Sequence, residues 1–435
     1  MTALLVSVFL FVPLALAAVY CVAAPADRRY LTTLVLVGWL LVGSLTTLVN
    51  DWAPFSGGGD DEDYFRLASQ PHRSLSELLD ISRFQGVMEQ PGYPWLLSIL
   101  NLVVEPDLLA YKLANLLVLT LVALTWYRIG FVLGDRGLGR AMAVGTLMLT
   151  PLWFYVFVLR KDLVVVLLQS LFLLGLVQQW KQNRWGAWLL VSTATLLLLP
   201  FRTPLVLQNA AVATGSVILA SSGPGRSKRR LWSLLLAIPV IVGLLAAAAD
   251  LSILQSFGVF TEHRVVGSEA MWRTALESGE ASTMKRALFP FTYLFSDTSG
   301  LNPQTWIEFR PESLRGALAL PWIFLVVPMF LRGIRWLAKR PIDTRRSSGL
   351  FGSLRDSRFM ATPWAVLSIF VLSSVAISWT VGDATRWRLP DMPVILAIAV
   401  AARYYGSPGV NTRTVALWSA SLIVLFSAYA LRGGL

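Results

Sequence analysis

The stretch "LLAYKLANLLVLTLVALTWY", residues 108–127, decides how the chain is read. It is apolar for most of its length and stops at Arg128. About 20 such residues, wound as a helix, cross a ~30 Å hydrocarbon core. Backbone groups in lipid must bond within their own segment, so a helix is the form expected of it. Similar runs recur near residues 3–23, 31–49, 141–159, 163–179, 185–200, 204–221, 231–250, 316–333, 361–379, 390–405 and 415–431. The expected fold class is therefore all-α, a polytopic transmembrane bundle of about 12 spans forming a single membrane domain.

Composition agrees. Of 435 residues 55% are hydrophobic and 14% charged, with a mean hydropathy of +0.62. A soluble domain with these values would expose large apolar patches. The net charge of +12 sits largely in short loops between apolar runs. Topology explains it there, so nucleic acid is not expected as a partner. Cys21, the single cysteine, lies inside the first run, and His72 and His263 are the only histidines. A disulfide framework and a cysteine or histidine metal cluster are thereby excluded. The first run resembles a signal peptide, yet its positive charges, Arg28 and Arg29, follow rather than precede it. An uncleaved span with its N-terminus outside is expected.

Threaded this way, six alternate loops carry the basic residues: Arg28 and Arg29; Arg128, Arg136 and Arg140; Lys181 and Arg184; residues 223–230; residues 339–358; and Arg413. The positive-inside rule makes that side cytoplasmic. Two long segments, 50–107 and 251–315, then fall outside as structured loops. The first is acidic and contains "GGGDDEDYFRLA", residues 57–68, followed by "SLSELLDISRFQGVME", residues 74–89, which reads as an interfacial amphipathic helix.

Three glycines before Asp60 predict a turn, and acids in the first turn of a following helix suit its positive dipole end. On that helix Asp60 or Asp61, Tyr64 and Ala68 share a face by their three- and four-residue spacing. A carboxylate would then be held above the membrane at a fixed angle, as a base that takes a hydroxyl proton requires. From spacing alone, helix cap and functional carboxylate stand side by side.

The exceptions to the positive-inside pattern are informative. Arg160, Lys161 and Asp162 ("VLRKDLV"), Arg202 ("LPFRTPL"), and Arg386 and Arg388 ("GDATRWRLPDMP") fall at external span ends. A lipid phosphate would account for them, since guanidinium forks match phosphate oxygens. The ordinary explanation is that each pairs with a nearby acid or snorkels to headgroups. In the second loop, "MKRALFPFTYLFSD", residues 284–297, is too short to span and suits an interface or lipid groove, while Trp272, Tyr293 and Trp306 suit either sugar stacking or a membrane belt.

The order Asp60, Asp61, two residues, Tyr64, three residues, Ala68 resembles the acidic motif in the first external loop of the C-type superfamily of membrane glycosyltransferases, which use polyprenyl-linked sugar donors. "QPGYPWLLSILNLV", residues 90–103, stands where that family has a proline-aromatic-leucine juxtamembrane helix. Residues 127–162 are similar to its third and fourth spans, with their small-residue turn and midspan proline. The resemblance covers roughly residues 31–205. Residues 60 and 61 read Asp-Asp where many members have Asp-Glu, and Asp63 adds a further acid. "RWRLPDMPVILAIA", residues 386–399, also resembles a segment shared with bacterial polysaccharide polymerases.

The resemblance implies inverting sugar transfer at the outer face of a bacterial inner membrane, from a polyprenyl phosphate or pyrophosphate donor to a glycan, lipid or protein acceptor. Asp60, or else Asp61, would be the base. Arg160, Lys161, Arg202, Arg386 and Arg388 would hold the donor phosphate, with Asp63, Tyr64, Tyr93 and Asp162 in support. Some members need a divalent cation, magnesium or manganese, for which Asp60, Asp61 and Asp63 offer oxygen ligands. Two alternatives stay open. One is an O-antigen or exopolysaccharide repeat-unit polymerase; the other is a flippase or transporter, for which charged groups at midspan and broken helices are expected.

Overall fold

The computed structural model describes residues 2–52, 54–55, 60–70, 74, 77, 80–84, 91–182, 185–221, 311–339, 363–381 and 389–404. Expectations for 231–250, 251–310, 415–431, Arg386, Arg388 and most of 74–89 lie outside these residues. Among the described residues the structure is helical and contains no strand. Among the described residues four helices are long and apolar enough to cross a membrane, Pro25–Trp52, Leu108–Leu133, Asp162–Lys181 and Leu314–Ile334, or five if one bent pair counts as a single crossing.

Helices α1 (Thr2–Val22) and α2 (Arg28–Trp52) are joined by a 3-10 turn at Pro25–Asp27. After α2 come the short α3 (Asp60–Ala68), a 3-10 turn at Ile81–Phe84, and α4 (Gly92–Leu100). Helix α5 (Leu108–Leu133) is the central post, against which α1, α2 and three later helices pack: α6 (Arg136–Leu147), α7 (Thr150–Phe157) and α8 (Asp162–Gln182). Asp107 caps its start by accepting from Ala110 N at 2.8 Å, and Asp135 caps α6 by accepting from Leu138 N at 3.0 Å. Each cap satisfies an amide that a helix start would leave unbonded. Between α5 and α6 the backbones come close, since a Cβ on Gly130 would lie 2.9 Å from the Gly139 Cα.

The run read as one span over 141–159 is instead broken, α6 and α7 meeting at 49°. Pro151 supplies no N–H to continue the ladder from Leu147. The Leu147 carbonyl accepts from the Trp153 indole at 2.8 Å instead. That side-chain bond satisfies a carbonyl which the break leaves in an apolar interior.

Helices α9 (Trp185–Leu197) and α10 (Leu199–Ser221) pack against α8. Helix α10 is kinked at Arg202, whose φ of −162° and ψ of 81° are extended rather than helical. Pro204, two residues on, cannot donate to the Pro200 carbonyl, which favours the break there. Helices α11 (Pro311–Pro321) and α12 (Val327–Lys339) are continuous through a π turn at Trp322–Val326. Helix α13 (Pro363–Val381) and α14 (Met392–Tyr404), entered through a turn at Leu389–Asp391, complete the described bundle.

One end of the bundle is fixed by Asp27. Its buried carboxylate accepts from the Tyr127 hydroxyl at 2.7 Å and from Arg140 Nε at 3.0 Å, with a second bond from the same guanidinium. The α1–α2 hairpin is thereby tied to α5 and α6. The Tyr404 hydroxyl donates to the Asp135 carboxylate at 2.8 Å, bringing α14 to the same end. The acidic helix α3 lies at the other end.

Candidate functional site

Helix α3 opens with Asp60, Asp61, Glu62 and Asp63 in its first turn, where its dipole favours negative charge. The four acids do not face one way. Asp61 has no exposed surface and lies on the buried face with Tyr64, Leu67 and Ala68. Asp60 is half-buried and Glu62 exposed. Asp63 forms a surface ion pair with Arg66 at 2.8 Å, both side chains being well exposed. A divalent cation held by Asp60, Asp61 and Asp63 together does not fit this donor set, because Asp61 turns inward and Asp63 is engaged with Arg66.

The buried face of α3 rests on α4 and on the first turns of α5. Tyr64 meets Tyr93 edge to face at 5.2 Å, and Phe65 meets Tyr111 at 5.9 Å. The Tyr93 hydroxyl donates to Asn115 Oδ1 at 2.9 Å. Burial pushes that hydroxyl well above its usual range, so it remains a protonated donor. The Tyr111 hydroxyl donates to Asn101 Oδ1 at 2.5 Å, and Asn101 Nδ2 donates to the Ala68 carbonyl at 2.7 Å, closing the far end of α3.

Lys112 belongs to the same shell. It has no exposed surface and donates to the Pro54 carbonyl at 2.7 Å.

Asn115 then links this shell to the basic turn between α7 and α8. Its Nδ2 donates to the carbonyls of Tyr155 and Val158, each at 3.2 Å. After Val158 and Leu159 come Arg160, half-buried, and Lys161 and Asp162, both buried. Asp162 pairs with Arg202 at 3.0 Å, their side chains 4% and 7% exposed. For Arg202 a nearby acid therefore supplies the ordinary partner, and the pair locks the α10 kink to the first residue of α8.

Gly92 allows the close fit of α4 on α10, since a Cβ there would lie 2.8 Å from the Pro200 carbonyl oxygen. Tyr64, Ala68, Tyr93, Tyr111, Leu159, Val165, Leu198 and Phe201 form one small apolar core, separate from the main one. The acidic helix and the basic turns, roughly 100 to 140 residues apart in sequence, thus close over one floor.

Arg386 and Arg388 lie outside the described residues, but the turn that follows them, Leu389–Asp391, packs against α8. Asp391 is buried and accepts from Ser374 at 2.8 Å, and Gln208 Nε2 donates to Ser374 at 2.6 Å. Trp272, Tyr293 and Trp306 are also outside the described residues.

Sequence reasoning passed over Lys112, Asn115 and Arg315, whose guanidinium reaches the Tyr155 hydroxyl at 3.4 Å and lies 5.7 Å from the Phe154 ring centre. The available signal was a lysine and an asparagine three residues apart in an otherwise apolar run, which puts both on one helix face.

No protein-family model and no curated protein matches the chain.

Proposed function

We propose that the protein is a membrane glycosyltransferase that moves a sugar from a polyprenyl phosphate or pyrophosphate to an acceptor hydroxyl. The observation that carries this reading is the shared core of Tyr64, Tyr93, Leu159 and Phe201, which sets an acidic helix beside basic turns at one end of a membrane bundle. The twelve-span topology and the two long loops of the sequence reading belong to the same proposal. In it the Asp60 end faces outward and the Asp27 end faces the cytoplasm of a bacterial-type inner membrane.

Asp60 is assigned as the base. A base must be reached by the hydroxyl it deprotonates. Asp61 is sealed beneath the helix, whereas Asp60 keeps accessible surface. The acceptor oxygen attacks the anomeric carbon as its proton passes to the Asp60 carboxylate. The bond from that carbon to the donor phosphate oxygen breaks, and its electron pair leaves with the phosphate. Direct displacement inverts the sugar. Negative charge grows on the departing phosphate, so fixed cations lower the barrier. In this reading Arg160 and Lys161 take that role from a turn braced by the Asp162–Arg202 pair and by Asn115, and Arg386 and Arg388 approach the same phosphate.

The test is binding of a radiolabelled polyprenyl-linked sugar to the purified chain. Arg160→Ala/Lys161→Ala is expected to weaken binding at least ~10-fold, the loss typical of a charge-assisted contact. Asp60→Asn is expected to bind as wild type. Equal binding by all three proteins would remove the phosphate site from the basic turn. The transporter reading has one observation in its favour, the broken α6–α7 pair together with the buried Asp391; donor movement across vesicles without sugar transfer would select it.

A further inference from the structure

Three side-chain amides are buried where an apolar bundle has least use for them. Gln169 on α8 and Gln208 and Asn209 on α10 are at most 2% exposed. Among the described residues Gln169 has a hydrogen-bond partner at neither amide atom, and the amide oxygens of Gln208 and Asn209 accept from no donor. Buried polar atoms are ordinarily paired, so three open amides in one bundle call for a ligand. They gather beside a carboxylate. Gln208 Nε2 donates to Ser374 Oγ at 2.6 Å, and Ser374 Oγ donates to the buried Asp391 carboxylate at 2.8 Å. On the neighbouring face of α10, Asn209 Nδ2 donates to Thr195 Oγ1 of α9 at 3.3 Å. The depth of Gln169 follows from the antiparallel fit of α8 and α9, where a Cβ on Gly175 would lie 2.7 Å from Val191 Cγ2. From that contact Gln169 is six residues and Thr195 four residues toward the Asp162 end. At 1.5 Å per residue their depths differ by about 3 Å. Gln169 also follows Asp162 by seven residues, two turns down the helix face that meets Arg202 of α10. The turn carrying Asp391 packs against α8 as well.

We infer that these groups form a binding site for a monovalent cation, sodium, inside the bundle. The open oxygens are Gln169 Oε1, Gln208 Oε1 and Asn209 Oδ1, and Asp391 adds a carboxylate. Amide carbonyls and a carboxylate are hard oxygen ligands, with no thiolate or imidazole among them, so they suit a hard ion rather than a transition metal. Carbonyl oxygens held at membrane depth can replace an ion's hydration shell. A single carboxylate balances one positive charge, whereas a divalent ion would leave a net charge in the low-dielectric interior. Magnesium, besides, gives up its waters reluctantly. The ion would join α8, α10, α13 and the turn before α14, six to seven residues beyond the Arg202 kink. Its binding would tighten α10 just where the missing ladder bonds loosen it. The site is independent of the glycosyl-transfer reading.

The experiment uses the full chain in lipid nanodiscs, in sodium, potassium or choline chloride at equal ionic strength. Two quantities are read: binding of radiolabelled sodium, and hydrogen exchange of backbone amides. Wild type is expected to bind sodium saturably. Relative to choline, sodium should slow exchange in residues 206–212 and 370–376 by a factor of 1 + [Na⁺]/Kd, about 10-fold at ten times Kd, and leave α6 unchanged. Gln208→Leu removes one oxygen ligand and Asp391→Asn removes the charge, and each should weaken sodium binding at least ~10-fold. Protection by potassium equal to that by sodium supports the site with loose selection for size. Absence of saturable sodium binding, with the same exchange in sodium and choline, would overturn the inference and leave the amides to water. Protection by magnesium but not by sodium would overturn it too, as would wild-type sodium affinity in both variants. Where a variant does not fold, the wild-type exchange map decides: slowing confined to the two segments supports the site, and slowing elsewhere or nowhere refutes it.

Discussion

Replacing Arg202 with Met tests whether the basic turn is braced as described. Asp162 and Arg202 meet at 3.0 Å, with side chains only 4% and 7% exposed. Removing one member of a buried pair typically costs about 3–5 kcal/mol, because the other charge is left without compensation. Asp162 is also the first residue of α8, where the helix dipole returns about 0.5–1 kcal/mol to a carboxylate. The expected loss for Arg202→Met is therefore about 2–4 kcal/mol. In Arg202→Met/Asp162→Leu no charge is stranded, so the double variant should be more stable than Arg202→Met alone by at least ~1.5 kcal/mol. Reversible unfolding in mixed micelles with rising SDS fraction, followed by tryptophan fluorescence, gives these differences. Single-variant losses below ~1 kcal/mol, or strictly additive effects, would show that the pair does not hold the α8–α10 junction.

Gly92→Ala places a Cβ 2.8 Å from the Pro200 carbonyl oxygen, so α4 must move off α10; a loss of about 1–3 kcal/mol in the same unfolding assay is expected. Trp153→Phe leaves the Leu147 carbonyl without its indole donor at the α6–α7 break and should cost about 1–3 kcal/mol in the same unfolding assay. Dialysis against EDTA should leave sugar transfer within ~2-fold of its starting rate, since Asp61 is turned inward and Asp63 pairs with Arg66. A rate that collapses and is restored by magnesium would contradict that expectation.

Run length and hydropathy made the helices legible, because crossing lipid leaves the backbone little choice. The ends of the described helices at 2–22, 28–52, 108–133 and 162–182 lie within several residues of the runs that predicted them. The break after Leu147 was less legible. Pro151 is plain in the sequence, but a proline is often tolerated in a span, and only the reach of Trp153 back to the Leu147 carbonyl shows how the bend is satisfied.

At the site, the acids of α3 and the cations at 160–161 and 202 stood out because each breaks a local pattern. Their sorting did not. Which of Asp60, Asp61 and Asp63 turns inward depends on what α3 rests upon, and Arg202 finds its partner 40 residues away, across two helices. Lys112 was the least visible. A single lysine in an apolar run reads as a residue that snorkels, and its inward course is fixed by the Pro54 carbonyl, 58 residues earlier.

The most direct measurement is sugar transfer from a radiolabelled polyprenyl-linked pool by membrane vesicles containing wild type, Asp60→Asn, Asp61→Asn or Asp63→Asn at equal expression. The account predicts a loss of at least ~100-fold for Asp60→Asn, the scale of a missing general base. It predicts a smaller loss for Asp61→Asn and near-wild-type transfer for Asp63→Asn. Full transfer by Asp60→Asn would contradict it, leaving the acidic turn as a helix cap and moving an arginine-dependent polymerase ahead.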